Sequence, residues 1–220
     1  MKHDTYRIRL ADTPNGRNSA SMLIDKMYGW RGYAGAHQVT EEPNRVVLTA
    51  TQEDKVVGTL TIGIDIPAGL MADQIFKTEL DAHRHRGARL CEFTKLAFDR
   101  SVRSKILLAN LFHLAVIYAR DIYHCTDIII EVNPRHKRFY ERMLGFVQEG
   151  ELKINPRVNA PAYLLRVNLN HVTEQIKAYG GSFKEGGEVT ERSFYPFFFS
   201  QREESGIRQR LQRIDATPEP

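Results

Sequence analysis

The stretch Ile128-Ile-Ile-Glu-Val-Asn-Pro-Arg-His-Lys-Arg-Phe-Tyr-Glu-Arg-Met-Leu-Gly-Phe146 decides the fold. Three adjacent isoleucines with Val132 close behind predict a strand covered on both faces, since a half-solvated strand would alternate. Asn133 suits a helix N-cap, where its side chain accepts from a free backbone amide, and Pro134 suits the first helical position. Phe139, Met143 and Phe146 recur at helical spacing, so one face packs inward while Arg135, Lys137, Arg138 and Arg142 line the other. Gly145 stops the helix before another strand.

Working outward, Tyr6, Ile8 and Leu10 alternate with Arg7 and Arg9, giving a first strand that ends near Asp12-Thr-Pro-Asn-Gly16. Ser19 or Ser21 is expected to cap a helix through Met22, Leu23, Met27 and Trp30. Residues 46–50 and 56–62 read as a hairpin around Gln52-Glu-Asp-Lys55, and 68–82 as an amphipathic stretch. A fourth strand covers Arg89 to Phe98, and the longest helix runs from about Ser104 to Tyr123. Strands near Phe146 to Lys153 and Tyr163 to Asn168 complete the order β-α-β-β-α-β-α-β-α-β-β. The fold class is therefore α/β, with a mixed central sheet of about seven strands flanked by helices. Residues 1–170 form the domain, and 171–214 an extension that packs on it or at an interface. Within the extension, Phe194-Tyr-Pro-Phe-Phe-Phe199 is too apolar to stay solvated: it caps a tunnel, docks on the sheet or meets a second copy. Residues 215–220 are expected to be disordered.

Composition narrows the function. The 220-residue chain carries a net charge of +4 and is 42% hydrophobic, enough for a sizeable core. No apolar run reaches the roughly 20 residues that span a bilayer. The polar, alternating start lacks the apolar stretch of a signal peptide, so a cytoplasmic location is expected. Cys91 and Cys125 lie in apolar surroundings and read as buried free thiols. Basic residues cluster at His83 to Arg89, at Arg100, Arg103 and Lys105, at Arg135 to Arg142, and at Arg208 to Arg213. Such clusters attract an acidic partner. No zinc-finger spacing or aromatic RNA-binding signature accompanies them, and nucleic acid is not expected. His83 and His85 lack the ligands that would complete a metal site, so none is expected.

Glu92 lies mid-strand among apolar residues, an expensive place for a carboxylate unless it is paired or used. By strand alternation Leu90, Glu92, Thr94 and Leu96 share a face. Partly desolvated, Glu92 would have a raised pKa and could accept a proton; in an ion pair with Lys95 or Arg89 it would be structural. Ser101, Arg103, Ser104 and Lys105, with Arg100, stand at a helix start where they could bind a phosphate, or simply meet solvent. Arg135 could hold a carboxylate with a two-pronged hydrogen bond, and His136 could relay a proton.

The strand-Asn-helix-Gly-Phe pattern resembles the second half of the GNAT acyltransferase fold. The denser string Asn133-Pro-Arg-His-x-x-Phe-Tyr-x-x-x-Leu-Gly-Phe146 resembles the N-acyl amino acid synthases, of the long-chain N-acyltyrosine type. Glu92-Phe-Thr-Lys-Leu96 resembles the Glu-x-Thr/Ser-Arg-Phe pattern of the related acyl-homoserine lactone synthases. The resemblance implies attack by an amino acid's α-amine on a fatty acyl thioester, with no permanently bound cofactor. Glu92 would help deprotonate the amine, and backbone amides near Thr94 to Leu96 would polarise the carbonyl. General GNAT enzymes place glycines in the pyrophosphate loop, but Arg100-Ser-Val-Arg-Ser-Lys105 has none. That departure fits a donor carried on the phosphopantetheine of acyl carrier protein, which presents one phosphate and an acidic surface, with acyl-coenzyme A as the other possible donor. Tyr28, Trp30, Arg31 and Tyr33 resemble the segment that closes over substrate in these families, although aromatics at helical spacing also suit a core. Asn133, Arg135 and His136 stand where the central strands should separate. Tyr140 resembles the tyrosine that protonates the leaving thiolate. Its spacing to Gly145 is one residue too long, about 100° of helix, which favours a core role. The acylated product implies transient membrane contact. A lactone-forming enzyme and a non-catalytic module that binds an acidic partner are the alternatives.

Overall fold

A computed structural model describes residues 6–33, 38–184 and 191–215, the last four of them as backbone only. Residues 216–220, expected to be a disordered tail, lie outside the described residues. Among the described residues, seven strands and six α-helices follow the expected order: β1 (Tyr6–Leu10), α1 (Pro14–Trp30), β2 (Arg45–Gln52), β3 (Lys55–Ile64), α2 (Asp73–His85), β4 (Leu90–Phe98), α3 (Lys105–Ile117), β5 (Asp127–Val132), α4 (Pro134–Leu144), β6 (Val147–Asn155), β7 (Ala160–Asn168), α5 (Leu169–Tyr179) and α6 (Gln201–Asp215).

The strands form one sheet in the order β1-β2-β3-β4-β5-β7-β6. Every neighbouring pair is antiparallel except β4–β5. That parallel pair is short, joining only Leu90–Glu92 to Asp127–Ile129. Beyond those three residues the two central strands separate, and the gap is the main fact about this molecule.

Helices cover both faces, which is why three adjacent isoleucines are tolerated in β5. Ile128 and Ile130 pack with Leu165, Phe112 and Leu144 on the side of α3, α4 and α5. Ile129 points the other way, to Phe76 and Leu80 of α2. Burying each such side chain contributes roughly 1.5–3 kcal/mol. Ala97 sits with Leu23, Ile24 and Met27 of α1.

Two local signals differ from the sequence reading. α1 begins at Pro14, well before Ser19, because the Thr13 side chain accepts from Gly16 N at 3.1 Å and Pro14 takes the first position. The Thr-Pro pair that reads as a strand-ending turn is a helix start. Ser21 lies inside the helix, where its hydroxyl donates to the Arg17 carbonyl at 2.9 Å. In β4 the expected alternation breaks. Thr61 faces Thr94 but Thr59 faces Ala97, so β4 carries an extra residue, and Lys95 adopts φ 51°. The bulge turns Leu96 toward the α3 side, away from the face that Leu90 and Glu92 share.

α4 forms as read. Asn133 Oδ1 accepts from Arg135 N at 3.3 Å, and Gly145 closes the helix at φ 75°. A side chain there would also meet His171, whose Nε2 lies 2.8 Å from the position of a Cβ. Tyr140 packs edge-on against Phe112, Phe139 and Phe146. Cys91 and Cys125 are buried free thiols.

The aromatic run of the extension enters the core on the α3–α4 side. Phe194 N donates to the Met143 carbonyl at 2.9 Å, and Tyr195 Oη donates to the Leu144 carbonyl at 2.7 Å. His113 of α3, fully buried, stacks on Phe198 at 4.7 Å and accepts the Phe199 amide on Nδ1 at 2.9 Å. Its Nε2 faces Glu204 of α6 at 3.4 Å, and Glu204 forms an ion pair with Arg120. Burial pushes Glu204 up, but the hydrogen bonds from His113 and Arg120 outweigh it and hold the carboxyl at about 2.

Candidate active site

Because β4 and β5 separate after Glu92 and Ile129, Phe93 to Leu96 line a cleft on the side that β5 leaves open, while the other edge of β4 still pairs with β3. The cleft holds about 550 Å³, within the range of small-molecule sites. It passes between the faces of the sheet. Glu92, Glu131 and Arg157 line one part; Arg31, His136, Phe139 and Tyr140 line another.

Glu92 is 2% exposed. Its Oε2 accepts from Met71 N at 2.8 Å, and its Oε1 is buried with no hydrogen-bond partner among the described residues. Burial pushes this carboxyl up to about 8, and the neighbouring Glu131 adds to the rise. No ion pair joins it to Lys95 or Arg89 among the described residues. Lys95 Nζ instead donates to the Gln38 carbonyl at 2.8 Å. A buried carboxyl with an open oxygen and a pKa near neutrality is what a general base requires.

The residues around Glu92 were missed by sequence reasoning. Glu131 accepts both Arg157 Nη2 contacts at 2.7 Å and Asn155 Nδ2 at 2.5 Å. Arg157 Nη1 donates to the Met71 carbonyl at 2.7 Å. Glu131 carried the same signal as Glu92, a carboxylate in an apolar strand. Arg157 carried none, since a turn arginine reads as solvated.

Of the other expected site residues, Thr94 lines the cleft at the bulge, and Asn133 and His136 line it at the start of α4. Burial holds His136 below the usual histidine range, with Arg135 and Arg31 adding to the effect, so the ring is neutral at pH 7. Arg135 is exposed at the rim, donating to His136 Nε2 at 3.1 Å and to Tyr33 Oη at 3.4 Å. Arg31 lines the cleft and has no ion-pair partner among the described residues. Trp30 does not line it; it is 60% exposed, with Arg100 stacked on its ring at 4.1 Å. Tyr140, assigned to the core by spacing, packs there and also lines the cleft, and burial keeps its hydroxyl protonated.

Arg100, Ser101, Arg103, Ser104 and Lys105 lie together beyond the end of β4, outside the cleft lining. Asp99 organises the loop, accepting from the amide and hydroxyl of Ser101 at 3.0 and 2.8 Å and from Lys26 Nζ at 2.9 Å. Ser104 Oγ accepts from Leu107 N at 3.1 Å as the N-cap of α3. Arg103 and Lys105 are exposed and have no ion-pair partner among the described residues. Other basic clusters are partly engaged within the fold: Arg84 binds Asp65, Asp73 and Asp81, and Arg208 lies 3.2 Å from Asp121.

A family model described as N-acyl amino acid synthase FeeM matches residues 19–168. A solved structure of FeeM, an N-acyl amino acid synthase from uncultured soil microbes, is 29% identical with a TM-score of 0.69, covering 77% of this chain and 93% of that one. The AHL synthase LasI aligns at TM-score 0.56 and 12% identity, over 76% of this chain and 91% of that one. An acyl-CoA N-acyltransferase from Pseudomonas aeruginosa aligns at 0.52 and 13%, over 74% and 98%. These last two share the fold, which is that of the GNAT-like acyltransferases. No curated protein sequence matches the chain.

Proposed function

The chain belongs to the N-acyl amino acid synthase FeeM family and is an acyltransferase; from that premise we propose that it moves a fatty acyl group from acyl carrier protein to the α-amine of an amino acid. The single observation that carries the reading is Glu92, buried in the cleft with one oxygen unpartnered and its pKa pushed up to about 8. An amino acid arrives as an ammonium ion, which has no lone pair. Glu92 Oε1 takes one proton, directly or through a water, and the amine attacks the thioester carbonyl carbon. The resulting oxyanion meets the backbone amides of Thr94 to Leu96, where the bulge at Lys95 turns the chain along the gap. Collapse breaks the carbon–sulfur bond, and the thiolate takes the second proton that the attacking nitrogen must lose, relayed by water or neutral His136, while Tyr140 keeps its own proton.

Arg31, inside the cleft, is the better-placed group for the acceptor carboxylate; Arg135 steadies His136 and Tyr33 at the rim. Arg100, Arg103 and Lys105, with the hydroxyls of Ser101 and Ser104, take the pantetheine phosphate and the acidic carrier surface, and Trp30 supports Arg100 from below. The absence of glycine in this loop favours the carrier protein over acyl-coenzyme A. Residues 1–170 are the catalytic unit in this reading, and the described residues of the 171–214 extension brace α3 and α4. The acylated product would meet a membrane transiently as it leaves.

Mass spectrometry of lipid extracts from expressing cells tests the reaction. N-acyl amino acids that appear with the wild type and disappear with Glu92→Gln are expected. Acyl lactones would shift the acceptor class, and no new acylated product from either protein would overturn the enzymatic reading.

A further inference from the structure

Glu92 is held by a peptide group that is itself held by a distant arginine. Met71 lies just before α2. Its amide donates to Glu92 Oε2 at 2.8 Å and its carbonyl accepts from Arg157 Nη1 at 2.7 Å. The same guanidinium grips Glu131 through Nη2, at 2.7 Å to each oxygen, and Gln74 Oε1 at 2.8 Å through Nη1. Arg157 is aimed in turn: its own amide donates to Asn155 Oδ1 at 2.9 Å while Asn155 Nδ2 donates to Glu131. Three separate parts of the chain thus meet at one forked cation.

We infer that Arg157 is a positioning residue for Glu92, fixing the carboxyl through the Met71 peptide and countering the charge of Glu131 beside it. The inference rests on the reading of Glu92 as the proton acceptor. It goes further by explaining why two carboxylates can share the cleft wall. Both cannot stay ionised in a dry site without a cation between them. Arg157 binds Glu131 with both oxygens and leaves Glu92 with an open one. The pair therefore divides into one member hydrogen-bonded to Arg157 and Asn155 and one member with an oxygen left open to exchange a proton.

Among the described residues, few groups face Glu92. β5 contributes Glu131, the β6–β7 turn contributes Arg157, the segment before α2 contributes backbone amides, and Cys91 adjoins on β4. Glu131 raises the Glu92 pKa and Arg157 lowers it, so removing each moves it in opposite directions.

Carbon-13 NMR of the Glu92 side-chain carboxyl, titrated in the purified full-length protein without substrate, reads this directly. Glu131→Gln should move the midpoint toward acid by about one unit or more, the lower end of neighbouring-charge effects. Arg157→Met should move it toward alkali, and the double variant should fall between them. Arg157→Lys keeps the charge but cannot fork to Met71 and Glu131 together, so it should restore only part of the shift. Equal midpoints in all variants, or shifts of the same sign for Glu131→Gln and Arg157→Met, would overturn the inference. If Arg157→Met fails to fold, Glu131→Gln decides alone: an acid shift supports the assignment and an unmoved midpoint defeats it. Activity of Glu92→Gln is a separate readout. A fully active Glu92→Gln protein removes the proton-acceptor reading, whatever the titration shows.

Discussion

Glu92 and Glu204 are both nearly sealed from solvent, at 2% and 8% exposed, yet their chemistry is opposite. Glu92 is pushed up to about 8; Glu204 is held at about 2. Burial pushes both upward, so burial does not distinguish them. The partners do. Glu204 meets Arg120 and His113, whereas Glu92 receives a backbone amide, keeps an open oxygen and faces a second carboxylate. The protein uses one buried glutamate to fasten its C-terminal segment and leaves the other poised. What separates these two buried carboxyls is the cation: Glu204 has Arg120 against it, and Glu92 has a second carboxylate instead.

Exchanging the roles should produce effects of very different kinds. The largest should follow Glu92→Gln, which removes a general base and should lower kcat by about 10²- to 10⁴-fold without loss of fold. A steady-state assay beside a melting curve separates the two effects. Arg120→Ala should act on stability instead. It leaves Glu204 buried without its cation, which costs about 3–5 kcal/mol in a urea unfolding experiment.

The pH dependence of stability should show opposite signs for the two sites. Glu92 has a raised folded pKa, so its neutral form favours the native state. That stability is present below the ordinary glutamate range and is lost as pH rises toward about 8. Glu204 has a depressed pKa, and its stability is present above the ordinary range and lost as pH falls toward about 2. Glu92→Gln should therefore melt progressively higher than the wild type as pH rises from 5 to 9, by an amount on the order of a few kcal/mol. An advantage that shrinks with pH would contradict the comparison.

The smallest effect belongs to a third region, the exposed loop at the start of α3. Arg103→Ala with Lys105→Ala should weaken carrier-protein binding about tenfold at low salt and much less at high salt, since the charges are screened. Full affinity in the double variant at low salt would remove the loop from the donor site.

Much of this was readable in the chain. The isoleucine run, the Asn133-Pro134 cap and the Gly145 stop each express a local rule, and β5 and α4 formed where those rules placed them. The Thr13-Pro14 cap obeys the same rule, but in the sequence alone a strand-ending turn explains the pair equally well. Glu92 stood out because a carboxylate in an apolar strand needs a reason. The bulge at Lys95 was not readable: it arises from pairing with β3, and nothing in Phe93-Thr-Lys-Leu96 requires it. Arg157 was hidden for a related reason. Its importance comes from where the β6–β7 turn lands after crossing the sheet, which local sequence does not encode.

The most direct test of the central claim is the pH dependence of kcat/KM for acyl transfer in the wild type and in Glu92→Gln. The account predicts a wild-type rate that rises with pH through a midpoint near 8, as Glu92 loses its proton, and a residual Glu92→Gln rate without that limb. A Glu92→Gln enzyme that keeps the same limb would show that another group accepts the proton, and the role assigned to Glu92 would be wrong.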